Sequence, residues 1–517
     1  MPNSVFNTHT SGYGDHHARE PLLAWQAAAA SWSTTAHVVF WLIVALYVVL
    51  RMWTLTRYDL WADEVTTLLI LRQNWSEVFH YTLQDIVHPP LFYLLPKAWF
   101  DLGGGSTQWV RYFPLVASVV GIVPFRAICR ELRLGAAQTN LAFLLISVNG
   151  LLVYYAQELR VYSLLMTLAL CSIWVFLRFF NGAGSRWIWV ALFGVNLVLV
   201  YSHLFGWLVL GVEWLALVIW QRNRLLAFSL VLVAVAACLA PWLNSIAQAA
   251  AQKGGYEQNL GWIMVPTIQD LAWFYVLISG PFRTPFPLGV TLAALVLFGS
   301  GPALWLLQSV QLRRTGQPAQ QEHSRVLVFL GLFTLLPAMI TFVASHLLPQ
   351  SVWHPRYLIF VIIPYLLLIA ISSLAVRPRR LRQLVVAALV AWSLASGIEE
   401  IRQTDRIAWH SVVEQIASNE PSRTGGIRVY SLGVHDLDFY FAEAGEQRFV
   451  VEKVRDRTQP LHLTDQHAWV AMRVYGDRYS AGFQDTPPEE ARVYQELRQN
   501  LTSQGYRIDT TIEQGTP

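Results

Sequence analysis

Apolar residues along this chain come in long runs. Stretches of roughly 20 residues with few or no charges recur near 37–56, 110–129, 136–156, 161–180, 187–201, 203–220, 225–245, 286–310, 326–347, 357–376 and 383–398, and each approaches or exceeds the length that crosses a bilayer as a helix. Ser202-His203 divides one run of about 35 residues, too long for a single crossing. Residues 89–102 (PPLFYLLPKAWFDL) are apolar but short, and read as an interfacial or re-entrant piece. Beyond residue 398 the pattern changes. Arg428–Leu432, Phe449–Val451 and Ala468–Met472 look like strands, and 489–503 reads as an amphipathic helix. The expected fold is an all-α polytopic membrane domain of about 11 transmembrane helices over 37–398, followed by a small soluble α/β domain over 399–517.

Composition agrees. Of 517 residues only 14% are charged and 54% are hydrophobic, whereas ordinary soluble domains carry about 25% charged residues. The three cysteines (Cys129, Cys171, Cys238) all fall in apolar runs, which excludes a disulfide scaffold and a cysteine-rich metal site. The net charge of +4 hides a division: residues 399–517 hold 19 of the 33 acids and 13 of the 37 bases, a net −6, leaving +10 for residues 1–398. The bases cluster at the ends of apolar runs, so the positive balance calls for no nucleic-acid partner.

Charge also predicts orientation. Arg126/Arg130/Arg133, Arg178/Arg186, Arg222/Arg224, Arg313/Arg314/Arg325 and Arg377/Arg379/Arg380/Arg382 follow alternate loops, and placing these in the cytoplasm satisfies the positive-inside rule. The segment 1–36 is then cytoplasmic; it lacks the pattern of a cleavable signal, so the first run serves as an uncleaved anchor. The loop 57–109 and the whole tail face outward. Only three of the 37 bases are lysines, which suggests a GC-rich genome and hence a bacterial plasma (inner) membrane.

The first outward loop is the most informative segment. It holds Asp59, Asp63, Glu64, Glu77, Asp85 and His88, although residues 37–398 contain only twelve acids. In Leu60-Trp61-Ala62-Asp63-Glu64 two carboxylates are adjacent. Neighbours on a helix point about 100° apart, so one can face a reaction site while the other binds backbone or an arginine. A loop carboxylate at the interface suits a general base, and an acid pair at a helix start is equally what the helix dipole favours. Two prolines after His88 bias it to an extended conformation. Tyr154-Tyr155-Ala156-Gln157-Glu158-Leu159-Arg160-Val161-Tyr162 places Glu158 and Arg160 among tyrosines at an outward edge, where an arginine is a good phosphate ligand. Tyr201-Ser202-His203 and Trp353-His354-Pro355-Arg356 are further outward candidates; lone histidines are more often structural than ligating, but three on one side of a membrane weaken that reading. Glu213, inside an apolar run, suggests by default an ion or proton pathway, and a polytopic transporter is the rival from another class.

In this order and spacing, one span, an outward loop with Asp-Glu, His-Pro-Pro-Leu and then Gln-Glu-x-Arg-x-Tyr resemble the GT-C superfamily of integral-membrane glycosyltransferases. Within it the likeness is to the protein-mannosyltransferase-like family, which includes bacterial aminoarabinose transferases acting on lipid A. It covers roughly 37–400. The resemblance implies a polyprenyl-phosphate-linked sugar as donor substrate and an acceptor hydroxyl on a lipid, glycan or protein of the envelope. It implies that Asp63 is the catalytic base or acceptor-orienting acid and Glu64 its structural partner. Arg160, Arg356, His88 and Arg111 (in Trp109-Val110-Arg111-Tyr112-Phe113-Pro114) are implied donor phosphate ligands, with Glu158, Tyr162, Tyr155, His203 and His354 lining the substrate site. Where aminoarabinose transferases have Glu-Lys before Pro-Pro, this chain has Val87-His88, which argues against assuming a lipid A acceptor. A direct displacement with one base would invert the anomeric centre. Such a donor carries its own leaving group, so no nucleotide loop is needed, and Gly103-Gly104-Gly105 reads as a turn. No cofactor is assigned, and a requirement for a divalent metal stays open.

Overall fold

The computed structural model describes residues 32–252 apart from 54, 57–58, 86 and 183–184, then 261, 263–280 and scattered positions between 289 and 303. It further describes 318–402, with side chains from 324, and 408–511 apart from 421–425, 433–435, 455–460, 462, 464–466, 473–486, 508–509 and the side chains of 487–494. Among the described residues, seven helices are long and apolar enough to cross a membrane: Thr34–Met52, Thr107–Glu131, Tyr162–Phe180, Arg222–Gln252, Ser324–Leu347, Pro355–Leu374 and Arg379–Arg402. Shorter apolar helices, Ala136–Val148, Arg186–Ser202 and Gly206–Trp220, occupy three more of the expected spans. The remaining expected span, 286–310, falls almost wholly outside the described residues, as do Arg313, Arg314 and residues 1–31 of the N-terminal segment. The protein is a multi-pass membrane protein. One helix was not anticipated: Ile268–Ile278 lies in a stretch expected to be a connecting loop, started by a capping box between Thr267 and Asp270.

Two features of the bundle set up the site. The run 136–156 is broken at Asn149, whose extended backbone separates Ala136–Val148 from Gly150–Tyr155. Its side chain caps the second helix through the Leu152 N–H and donates to the Ile278 carbonyl at 2.9 Å. The carbonyls freed by the break are met by Arg51, fully buried at the end of the first span, which donates to Ser147 at 3.0 Å and Ile146 at 3.4 Å and lies over the Tyr47 ring. A cation at a helix C-terminus satisfies both the orphan acceptors and the dipole. Gln157 then donates to the Arg51 carbonyl at 3.0 Å, pinning the turn that carries Arg160.

Glu213 is also accounted for. It is 0% exposed, and the Ser172 hydroxyl lies 2.8 Å from both its Oε1 and the Asn196 side-chain oxygen. These three residues sit on Tyr162–Phe180, Arg186–Ser202 and Gly206–Trp220, so the cluster joins three helices where water cannot supply partners.

The three expected strands are present: β1 (Ile427–Leu432), β2 (Phe449–Val454) and β3 (Trp469–Met472). They form a parallel sheet in the order β2-β1-β3, with Val429 of β1 opposite Val451 and Trp469. The expected tail helix runs Pro487–Ser503. This region does not stand apart from the rest. Leu60, Val65, Leu68, Leu71, Phe100 and Val110 share one buried cluster with Trp409, Val413, Ile416, Val429, Leu437 and Tyr440. The Asp59 carboxylate accepts from the His410 backbone N–H at 2.8 Å and from its ring at 2.6 Å, and Arg72 pairs with Glu443 at 3.0 Å. The sheet is thus packed against the segment that bears the acid pair. Residues 89–102 contribute the helix Leu91–Leu102, which at 12 residues is about 18 Å long and shorter than a crossing.

Candidate active site

The acid pair opens the helix Ala62–Leu71. Glu64 accepts from the backbone N–H of the N-cap residue Trp61 at 3.2 Å, and its other oxygen accepts from the Leu159 N–H at 2.6 Å. It is buried, and each of its oxygens is taken by a backbone N–H. Asp63 points the other way. Its Oδ2 lies 3.4 Å from Arg356 and 3.9 Å from Arg160. The two guanidinium side chains are 6% exposed and the Asp63 side chain 35%, so the carboxylate is the solvent-facing member of the cluster.

The loop around the acid pair and the turn 157–160 interlock. Trp61 donates its indole N–H to Glu158 at 3.0 Å, while Arg160 donates to the Thr67 hydroxyl at 3.0 Å and to the Asp63 carbonyl at 3.3 Å. Arg160 also contacts Nε2 of His88 at 2.9 Å and lies over the Phe92 ring. Two motifs about a hundred residues apart therefore form one unit. Arg356 arrives from a third segment, the short 3-10 helix Pro355–Val361, N-capped by His354, whose Nδ1 accepts from the Arg356 N–H at 3.3 Å. Its guanidinium is flanked by the rings of Tyr162 and Tyr357.

The remaining candidates divide. Tyr155 and Tyr162 pack edge to face, both buried, and the Arg356 guanidinium lies over the Tyr162 ring. His203 accepts the Phe205 N–H through Nδ1 at 3.1 Å, which puts its ring proton on Nε2, and its ring lies 5.3 Å from that of Tyr357. His354 is buried, and burial together with Arg356 holds its ring well below the usual imidazole range, so it stays neutral. Arg111 is buried where the first loop meets the C-terminal region, and its charge acts on Tyr440, which itself donates to the Leu60 carbonyl. Among the described residues no three His, Cys, Asp or Glu side chains converge to hold a metal ion.

Sequence reasoning assigned no role to Asp85, Tyr93 or Thr67. Asp85 accepts from His88 Nδ1 at 2.9 Å and from the Tyr93 hydroxyl at 2.8 Å. An acid three residues before His-Pro-Pro is the one signal that pointed to it.

The electrostatics are unequal. Burial pushes the Asp63 carboxyl up, but the charges of Arg160 and Arg356 outweigh it and hold Asp63 below the usual carboxylate range. Asp85 is also held low: burial opposes its ionisation, and His88, the Val87 N–H and the Tyr93 hydroxyl outweigh burial. One ionised, half-open carboxylate between two nearly buried arginines can accept a proton on one side and leave positive charge for an anion on the other.

No protein-family model matches the chain, and no curated protein matches it. Solved structures do. ArnT from Cupriavidus metallidurans bound to undecaprenyl phosphate aligns over 82% of this chain and 87% of its own, with 17% identity and a TM-score of 0.51. The Archaeoglobus fulgidus oligosaccharyltransferase in its apo form aligns over 80% of this chain and 64% of its own, with 13% identity and a TM-score of 0.50. The chain shares the polytopic helical fold of these two solved structures, the fold that the order of motifs implied.

Proposed function

We propose that the protein is a membrane glycosyltransferase that moves a sugar from a polyprenyl-phosphate-linked donor to an acceptor hydroxyl, with Asp63 as base. The observation that carries this reading is the convergence of Arg160 and Arg356 on Asp63, in a fold shared with an enzyme solved with undecaprenyl phosphate bound. A transporter reading has less to support it, because Glu213 is engaged between three helices.

In this mechanism the acceptor oxygen attacks C1 of the sugar as its proton passes to Asp63. The bond from C1 to the phosphate oxygen breaks, and its electron pair leaves on polyprenyl phosphate. The leaving group gains one negative charge, which Arg160 and Arg356 meet in a site of low dielectric. Before the donor binds, both arginines are engaged with Asp63 and make it a weak base. A phosphate that shares them loosens that hold and raises the basicity of Asp63 when the acceptor is to be deprotonated. Attack opposite the leaving group inverts the anomeric centre. His203, with its proton on Nε2, is a neutral donor for a sugar or phosphate oxygen. Placing the arginine-rich loops in the cytoplasm puts the loop 57–109 and the domain 399–517 on the outer face of a bacterial plasma membrane, where the acceptor is an envelope lipid, glycan or protein. The test is turnover by purified protein of a panel of radiolabelled polyprenyl-phosphate sugars, with envelope extract as acceptor. Release of polyprenyl phosphate with label transferred supports the reading; no turnover and no binding with any donor overturns it.

A further inference from the structure

Asp85 lies between the helix Trp75–Gln84 and the Pro89-Pro90 pair and is 8% exposed. Its carboxylate accepts four hydrogen bonds. Oδ1 receives the backbone N–H of Val87 at 2.8 Å and of His88 at 3.1 Å. Oδ2 receives the Tyr93 hydroxyl at 2.8 Å and His88 Nδ1 at 2.9 Å. An acceptor-only group on that side requires Nδ1 of His88 to carry a proton. On the far edge of the ring, Nε2 lies 2.9 Å from an Arg160 amino group. A guanidinium donates and never accepts, so Nε2 must be the acceptor and the ring is the neutral Nδ1–H tautomer. Phe92 fixes the ring plane, with its centroid 4.8 Å from that of His88.

We propose that Asp85 and Tyr93 are positioning residues: by holding His88 with its proton on Nδ1, they present the Nε2 lone pair to Arg160 and so aim that guanidinium at the donor phosphate. This rests on the reading of Arg160 as a phosphate ligand. The physical advantage lies in the charge. Arg160 is held by three neutral acceptors, the Thr67 hydroxyl, the Asp63 carbonyl and His88 Nε2, and among the described residues the carboxylate paired with it, that of Asp63, is 3.9 Å away. A carboxylate in place of His88 would neutralise the arginine, and an imidazolium would repel it. A neutral ring in a set tautomer fixes direction and leaves the positive charge for the incoming anion.

Asp85→Asn tests this. Two backbone N–H groups keep the amide oxygen on their side, so the new NH2 faces Nδ1, the ring proton moves to Nε2, and it then opposes the Arg160 N–H. The full-length protein in lipid bilayers, labelled with 15N-histidine and assigned with His88→Gln, is expected to show the proton on Nδ1 in wild type and on Nε2 in Asp85→Asn. Undecaprenyl phosphate binding is expected to weaken about tenfold in Asp85→Asn, and by less than about twofold when the same change is made in His88→Gln, whose amide oxygen supplies Arg160 with an acceptor whatever stands at 85. An unchanged tautomer, or equal losses in both backgrounds, overturns the proposal and leaves Asp85 as a turn cap. Failure of wild type to bind undecaprenyl phosphate overturns the function proposed for the site and the target of Arg160, and the tautomer measurement still decides whether Asp85 sets His88.

Discussion

Asp63→Asn keeps the shape of the side chain and removes the anion that lies 3.4 Å from Arg356 and 3.9 Å from Arg160. Binding and turnover then move in opposite directions. A donor phosphate that meets these guanidiniums sits on the order of 6 Å from the Asp63 carboxylate, and at the intermediate dielectric of a group one-third exposed the repulsion is about 1 kcal/mol. The variant is therefore expected to bind polyprenyl phosphate roughly fivefold more tightly. Turnover is expected to fall about 100- to 10,000-fold, the range for loss of a general base. Stability falls by about 1–2 kcal/mol, between the values for exposed and buried pairs, because two nearly buried arginines lose their carboxylate. The assay is filter binding of radiolabelled polyprenyl phosphate beside single-turnover sugar transfer, both on full-length protein in nanodiscs, with a melting curve as control. Turnover retained within about threefold would refute the base assignment, since that role carries at least about a hundredfold. Binding and turnover lost together, in a folded variant, would make Asp63 an organiser of the arginines and not a base.

Because Arg160 and Arg356 hold Asp63 below the ordinary carboxylate range, the acid limb of kcat/KM is expected below about pH 4 in wild type. Arg356→Gln should move that limb upward, and an unmoved limb refutes the coupling. Asp85 is depressed in the folded state, so its contribution to stability is whole above the unfolded carboxylate value of about 3.9 and is lost as pH falls through the lower folded value. Melting temperature in acid should accordingly fall less steeply in Asp85→Asn than in wild type. Leu68 is 0% exposed in the core shared by the first loop and the sheet region, so Leu68→Ala should lower stability by about 2–5 kcal/mol and expose residues 409–503 to limited proteolysis; unchanged cleavage would mean the two fold separately. Glu213→Gln keeps an oxygen for Ser172 and should leave sugar transfer within about twofold, whereas loss of transfer in a folded variant would draw Glu213 into the mechanism.

Bilayer-length apolar runs, the break at Ser202-His203, the polar tail with its three strands and the helix near 489–503 were all legible in the order of residues. Each depends on short-range pattern, on how many consecutive side chains prefer hydrocarbon or alternate between water and core. The adjacency of Asp63 and Glu64 was enough to say that they divide their tasks, since helical geometry turns neighbours apart. Which partners each acid meets was decided in three dimensions. Glu64 is claimed by the Leu159 N–H and Asp63 by Arg160 and Arg356, across separations of about a hundred and about three hundred residues. The same is true of Arg111, set beside Tyr440, and of Asp85, whose hold on His88 depends on the turn before Pro89-Pro90 and on Tyr93 a turn further on. Nor did the charge division between body and tail disclose that the sheet region and the first loop bury one core, because burial between distant segments leaves no periodicity in either. Charge in this site is a matter of neighbours: the same carboxylate is a strong or a weak base according to the arginines that the fold brings to it.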